Sequence, residues 1–175
     1  MSADTHEEIF KKWLDEHGNL ILRVVRAYAH IGEDRDDLFQ EILIQLWSSI
    51  AAFRGDAAET TWIYRVALNT ALVWQRSQTR RRRRHHQLIA NLNHASQQAG
   101  NFSDTMRDGQ IIEQLYDGVR QLPKIDGSLI LMHLDGLTYE QMADVLGITK
   151  NNVGVKLNRA KKQLAPLLKG LIDDF

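Results

Sequence analysis

The sequence predicts an all-α fold in two small helical domains joined by a linker. Three observations carry this. Apolar residues recur at three- and four-residue spacing through most of the chain, the signature of helices that bury one face. Charge is segregated into two successive acidic-then-basic blocks: 1–53 holds five basic and ten acidic side chains, 54–86 eight and two, 104–144 three and eight, 145–170 six and none. Between the blocks, HHQLIANLNHASQQAGNFSD is rich in Gln, Asn, Ser, Ala and His with weak periodicity, the composition of a connecting segment. The expected division is 1–86, a linker over 87–103 that can prolong the preceding helix, and 104–175.

Composition removes several classes of function. A chain of 175 residues with 43% hydrophobic and 25% charged residues is globular. It has no cysteine, so disulfides, thiolate metal sites and cysteine nucleophiles are excluded. The start, MSADTHEEIFKKWLDEHG, is acidic without a secretory apolar core, and no run reaches the roughly 18 apolar residues of a membrane span; a cytoplasmic protein is expected. His85, His86 and His94 have no carboxylate or imidazole neighbours at ligand spacing, so neither metal nor cofactor is expected. Zero net charge argues against a protein that coats DNA unaided and suits one delivered by a partner.

The elements read in order as follows. Thr5 to His17 gives a short amphipathic helix with Ile9 and Trp13 inward; Gly18-Asn19 is expected to break it before a second helix carrying Leu20, Ile21, Val24, Val25 and Tyr28. In EDRDDLFQEILIQLWSSIAAF, the early acids suit a helix N-terminus. Leu38, Ile42, Leu43, Leu46, Trp47 and Ile50 mark its buried side, and Asp37, Gln40, Glu41 and Ile44 form an acidic patch with an apolar edge.

After the loop Arg54–Glu59, a long helix begins near Thr60. At 100° per residue Arg65, Asn69, Arg76, Arg80 and Arg83 fall within about 60° of one another. Trp62, Ile63, Val66, Ala67, Leu68, Ala71, Val73 and Trp74 cover much of the rest and are expected to be buried. Six arginines between Arg76 and Arg84 call for a polyanion to offset their repulsion, and an asparagine in the stripe can read a base edge.

Beyond the linker, Ile111, Ile112, Leu115 and Val119 give a helix that stops at Leu122-Pro123. Another follows to about His133. Thr138 and Gln141 have capping-box spacing, Gly147 turns the chain, and Thr149 caps a last helix in which Pro166 marks an end or a kink. A short capped helix, a glycine turn and a basic helix make a helix-turn-helix by pattern. On the last helix Val153, Leu157, Ala160 and Leu164 face inward, opposite Asn151, Val155, Asn158, Arg159 and Lys162. Asparagine suits adenine, arginine guanine, and valine a thymine methyl.

Asp36-Asp-Leu-Phe-Gln-Glu-Ile42, Phe53-Arg-Gly and Trp62-Ile-Tyr-Arg-Val-Ala-Leu-Asn69 resemble region two of bacterial RNA polymerase sigma factors of the extracytoplasmic-function (ECF) type. Leu122-Pro123, Gly136-Leu-Thr-Tyr-Glu-Gln-Met-Ala143, Leu146-Gly-Ile148 and Leu157-Asn-Arg-Ala160 resemble region four. The resemblance implies that Asp36, Asp37, Leu38, Gln40 and Glu41 dock on core polymerase, which is held through its clamp and flap regions. It implies that Phe53, Arg54, Arg65, Asn69, Arg76, Arg80 and Arg83 engage the minus-ten element, with Asn69 beside a flipped base. Asn151, Asn152, Val155, Lys156, Asn158, Arg159 and Lys162 would read the minus-thirty-five element. Core polymerase, promoter DNA and an anti-sigma protein are the implied partners. Where relatives often have Thr-Val-Lys-Ser-Arg this chain has Asn152-Val-Gly-Val-Lys156, so the promoter sequence does not transfer. A stand-alone helix-turn-helix regulator is the alternative; it would leave the acidic helix and the arginine run without a shared purpose. A nuclease is disfavoured, because Glu41, Asp56, Glu59 and the histidines form no acid–base or metal constellation.

Overall fold

A computed structural model describes residues 3–89 and 106–172, with side chains placed for 5–79 and 111–168. The described residues form α1 (Ala3–Tyr28), α2 (Gly32–Ser49), a 3-10 turn (Ile50–Ala52), α3 (Glu59–Ile89), α4 (Met106–Gln121), α5 (Lys124–Leu134), α6 (Tyr139–Leu146) and α7 (Lys150–Ile172), with no strand among them. The all-α expectation holds.

Two helix ends differ from the sequence reading. Helix α1 runs unbroken through Gly18 and Asn19 for 26 residues. An interior glycine costs about 1 kcal/mol relative to alanine. One continuous stripe from Trp13 through Leu20, Ile21, Val24, Val25 and Tyr28, all buried, returns more than that, at roughly 1.5–3 kcal/mol for each large side chain. Likewise Pro166 lies inside α7 without ending it. The turns around it are held by packing on α4: a methyl group added at Gly118 would stand 2.7 Å from Leu164 Cδ1 and 3.8 Å from Leu167 Cβ. Gly118 is small because α7 lies directly against it.

The capping expectations are met. Thr138 Oγ1 accepts from Gln141 N at 3.2 Å while Gln141 Oε1 accepts from Thr138 N at 2.8 Å, a reciprocal box that fixes the start of α6. Gly147 closes α6 with φ +64°, a left-handed conformation that glycine adopts without penalty. Thr149 Oγ1 accepts from Asn152 N at 3.3 Å. Helix α3 extends through the arginine run to Ile89, so the first residues of the expected linker continue it.

The two halves pack on each other. Tyr28 Oη lies 2.6 Å from Ser128 Oγ in a buried contact. Asp135, at the end of α5, accepts from Tyr64 Oη and lies 2.6 Å from Arg23 Nε. Burial first, and Asp135 second, hold the Tyr64 hydroxyl well above the ordinary phenol range. Arg35 Nη2 donates to Glu113 at 3.0 Å, and Arg120 Nη1 donates to the Arg26 carbonyl at 2.6 Å. Buried apolar side chains from both halves form one cluster.

Candidate nucleic-acid interface

On α3, Asn69 and Arg76 are exposed and Arg65 is half-buried, as a polar stripe on a packed helix requires. Arg65 Nη2 donates to the Asp144 carbonyl on α6 at 2.7 Å, so the helix-turn-helix half holds one member of the stripe. Arg80 and Arg83 continue along α3, their side chains beyond the described ones. Val73, expected in the core, is 62% exposed. At about 80° from Arg65 it stands at the stripe's edge, between Asn69 and Arg76, where no neighbouring helix reaches. Phe53 is wedged edge-on against Trp13 and tilted against Trp62, with centroids 5.3 and 5.6 Å away, so it anchors the start of the loop on α1 and α3. Arg54 beside it is exposed, and Gly55 turns the loop with φ +77°.

On α2, Asp36, Asp37 and Gln40 are exposed, and Glu41 is half-buried, accepting from Gln45 Nε2 at 3.1 Å. Leu38 is a correction: it is fully buried, so it anchors α2 in the core and offers no surface to a partner. Trp47 is the converse correction. Expected inward, it is 45% exposed, and Phe10 from α1 packs edge-on against its ring at 5.3 Å. With Ile44, 57% exposed, it extends the acidic face into an apolar end. Its place on the face formed by Asp37, Gln40, Glu41 and Ile44 is visible in the helical spacing; tryptophan's size alone suggests the core.

The helix-turn-helix places Val153, Leu157, Ala160 and Leu164 inward, all buried. Asn151, Asn152, Val155, Asn158 and Lys162 face out, with Lys156 half-buried. Arg159 also faces out but is engaged: its Nη2 and Nε donate to Asp126 Oδ2 at 2.8 and 3.2 Å. Asp126 on α5 is 1% exposed. A buried carboxylate needs its cation, so Arg159 ties α7 to α5 and is not disposed to read a base here. Nothing in the local sequence joins positions 126 and 159; only the packing of α5 on α7 does. Lys150 pairs with Glu140, linking the starts of α7 and α6 and holding the Glu140 carboxyl below its usual range.

Away from these faces, ligand atoms of Glu16, His17 and Glu59 lie within 4.8 Å of one another. Lys12 Nζ, 3.0 Å from both Glu59 oxygens, already supplies positive charge there, and its hydrogen bond holds the Glu59 carboxyl below the ordinary carboxylate range. His85, His86 and His94 lie outside the residues whose side chains are described.

The molecule thus presents an acidic face ending in Ile44 and Trp47, a cationic stripe with an exposed asparagine, and a helix-turn-helix with an asparagine–valine–lysine face. Comparison with known families matches two stretches of the chain. Residues 13–81 match sigma-70 region 2, and residues 112–164 match sigma-70 region 4. Together these cover well over half of the chain, which belongs to the sigma-70 family, in the two-domain arrangement of the ECF type. It is similar to the sigma-H factor of Pseudomonas aeruginosa, with 28% identity over 159 residues, 85% of this chain and 82% of that one. It is also similar to the ECF sigma-E factor of Haemophilus influenzae, with 26% identity over 171 residues, 90% of this chain and 86% of that one. Among solved structures, the fold resembles the Bartonella quintana sigma factor RpoE, crystallised with the anti-sigma factor NepR, with TM-score 0.68 and 20% identity over 93% of this chain and 98% of that one.

Proposed function

We infer that this chain is a promoter-specificity subunit: it binds core RNA polymerase, directs it to promoters with minus-ten and minus-thirty-five elements, and assists DNA melting. The observation that carries the reading is the presence of three chemically distinct faces, one acidic and two suited to DNA, on the two halves that match the sigma regions. Asp36, Asp37, Gln40 and Glu41, extended by Ile44 and Trp47, dock on the polymerase. Arg54, Asn69, Arg76 and the arginines to Arg83 take the minus-ten region, with Phe53 and Arg65 supporting its loop and stripe. Asn151, Asn152, Val155, Lys156, Asn158 and Lys162 take the upstream element, and Arg159 positions the helix that carries them.

Extruding a base costs a few kcal/mol, which contacts around Asn69 and neutralised phosphates along α3 must offset. The chain acts as an initiation factor and leaves RNA synthesis to the polymerase, which places it in the cytoplasm. Among the described residues no helix is long and apolar enough to cross a membrane. An anti-sigma protein that masks the DNA faces is a further proposed partner, by analogy with the Bartonella complex. A stand-alone regulator is less favoured, since it gives the 13–81 half no task.

Transcription in vitro with purified core polymerase and a genomic promoter library tests the reading. RNA starting at a defined set of sites is expected only with the chain present. Failure to bind core polymerase, or unselective initiation, would overturn it.

A further inference from the structure

The outward face of the helix-turn-helix carries a cleft in which Asn151, Val155 and Asn158 of the proposed upstream reader meet Tyr139 of the preceding helix. Tyr139, Lys150, Asn151, Gly154, Val155 and Asn158 line an open hollow of about 850 Å³ where α6 meets α7. Its floor is apolar, although it faces solvent: Val155 is 63% and Tyr139 40% exposed. The Tyr139 ring lies over Gly154: a methyl group added there would meet Tyr139 Cε2 at 3.5 Å, an ordinary van der Waals contact, so Gly154 keeps the notch beside Val155 shallow on that side. The walls are fixed. Tyr139 is the first residue of α6, inside the Thr138–Gln141 capping box, and the Lys150–Glu140 pair clamps the start of α7 to α6. Asn151 and Asn158 stand one turn to either side of Val155 on the same stripe, both exposed.

This sequence of groups has a counterpart in the major groove. An A·T pair offers the adenine N7 acceptor and N6 donor, which an asparagine amide matches in two places, next to a thymine C5-methyl that seeks apolar contact. A G·C pair offers no methyl, and the notch presents no carboxylate to the cytosine amino group. The six basic and no acidic side chains of 145–170 favour the phosphates around such a site. We propose that the Tyr139–Gly154–Val155 notch is a thymine-methyl reader, so that the upstream element contains an A·T pair whose thymine packs there, with Tyr139 as a specificity-determining residue outside the recognition helix.

The inference rests on the sigma-factor reading, and its test separates the two. Upstream elements are selected from a random library with holoenzyme assembled from this chain and its core polymerase. Each thymine in the selected element is then replaced singly by deoxyuridine, which removes only the methyl group. One position is expected to lose about fourfold in holoenzyme affinity, the equivalent of about 0.8 kcal/mol for one buried methyl group. That loss is expected to vanish in Val155→Ser and to shrink in Tyr139→Ala. Tight holoenzyme binding that is indifferent to every thymine-to-uracil change overturns the notch while sparing the sigma assignment. Equal sensitivity in wild type and both variants also overturns it. If no holoenzyme forms, the sigma assignment falls and takes the notch with it. The uracil scan on wild-type protein decides the matter even where a variant fails to fold.

Discussion

Replacing Asp135 should release the two halves from each other. Asp135 is the hub of their polar contact, accepting from Tyr64 Oη and pairing with Arg23 at 2.6 Å, with its side chain only 10% exposed. The minus-ten and minus-thirty-five elements are separated by about 25 base pairs, roughly 85 Å at 3.4 Å per step. The longest helix, α3 with 31 residues, spans about 46 Å at 1.5 Å per residue. On the proposed assignment of the two DNA faces, both are expected to engage one promoter only after the halves separate, with Arg65 leaving the Asp144 carbonyl. A hydrogen bond to a charged group contributes about 1.5–3 kcal/mol. Asp135→Ala removes the hydrogen bond from Tyr64 and the ion pair with Arg23, and strands the buried Tyr64 hydroxyl. A net loss of about 3 kcal/mol shifts the closed–open balance by roughly a hundredfold. The chain has no cysteine, so Glu8→Cys and Gln163→Cys, at exposed sites, take a donor–acceptor pair cleanly. Energy transfer is expected to fall in Asp135→Ala and in Tyr64→Phe to a smaller degree, with helical circular dichroism retained. Unchanged transfer in a folded Asp135→Ala protein refutes the argument, because the contact would then contribute nothing to closure.

Arg159→Ala is expected to lower stability by about 2–4 kcal/mol by stranding Asp126, a fall of about 4–16 °C in melting temperature for a chain of this size; a merely sequence-selective loss of DNA binding with an unchanged melt would make Arg159 a base reader instead. Asp37→Lys with Glu41→Lys should abolish capture of core polymerase without altering the melt, and Trp47→Ala should weaken it, as read by pull-down. Leu38→Ala should instead destabilise the fold by about 2–5 kcal/mol, seen as early thermal unfolding. Asn69→Ala should leave closed-complex formation near normal and reduce promoter opening, measured by permanganate reactivity of unpaired thymines. The Glu59 carboxyl, held low by Lys12, contributes stability that is present above the ordinary carboxylate range and lost as pH falls through its folded value. Lys12→Met should therefore flatten part of the acid limb of a stability–pH curve; an unchanged limb would show that the pair does not join α1 to α3.

What could be read from the sequence was whatever obeyed local rules. The capping box at Thr138, the stop at Pro123 and the inward set Val153, Leu157, Ala160 and Leu164 each depend on residues within a turn or two. Most of the misreadings share a cause. Gly18 and Pro166 are helix breakers by intrinsic propensity, and tertiary packing of the stripes around Trp13 and Leu164 overrides them. Periodicity places Leu38 in the core, where it lies, and only the resemblance makes it a docking residue; for Trp47 periodicity does not say how far the neighbouring helix reaches, and Phe10 packs on one side of it. The Arg159–Asp126 contact is invisible in the sequence because the two are 33 residues apart, and no periodicity links a buried aspartate on one helix to an exposed arginine on another.

The same distances explain the zero net charge. The acidic blocks are not surplus: Asp135, Glu113 and Asp126 serve as counter-ions to Arg23, Arg35 with Arg120, and Arg159. Cations used in this way are withheld from phosphate, and each phosphate contact forgone removes about 0.9 from the slope of log affinity against log salt. The closed chain should therefore bind duplex DNA weakly and with shallow salt dependence. If the α2 face docks on polymerase as proposed, the first half is expected to be held away from the second, freeing Arg65 from the Asp144 carbonyl. Affinity for promoter DNA is then supplied by separation of the halves, without any increase in charge, and a shallow slope for the free chain beside a steep one for the holoenzyme is the mark of that arrangement.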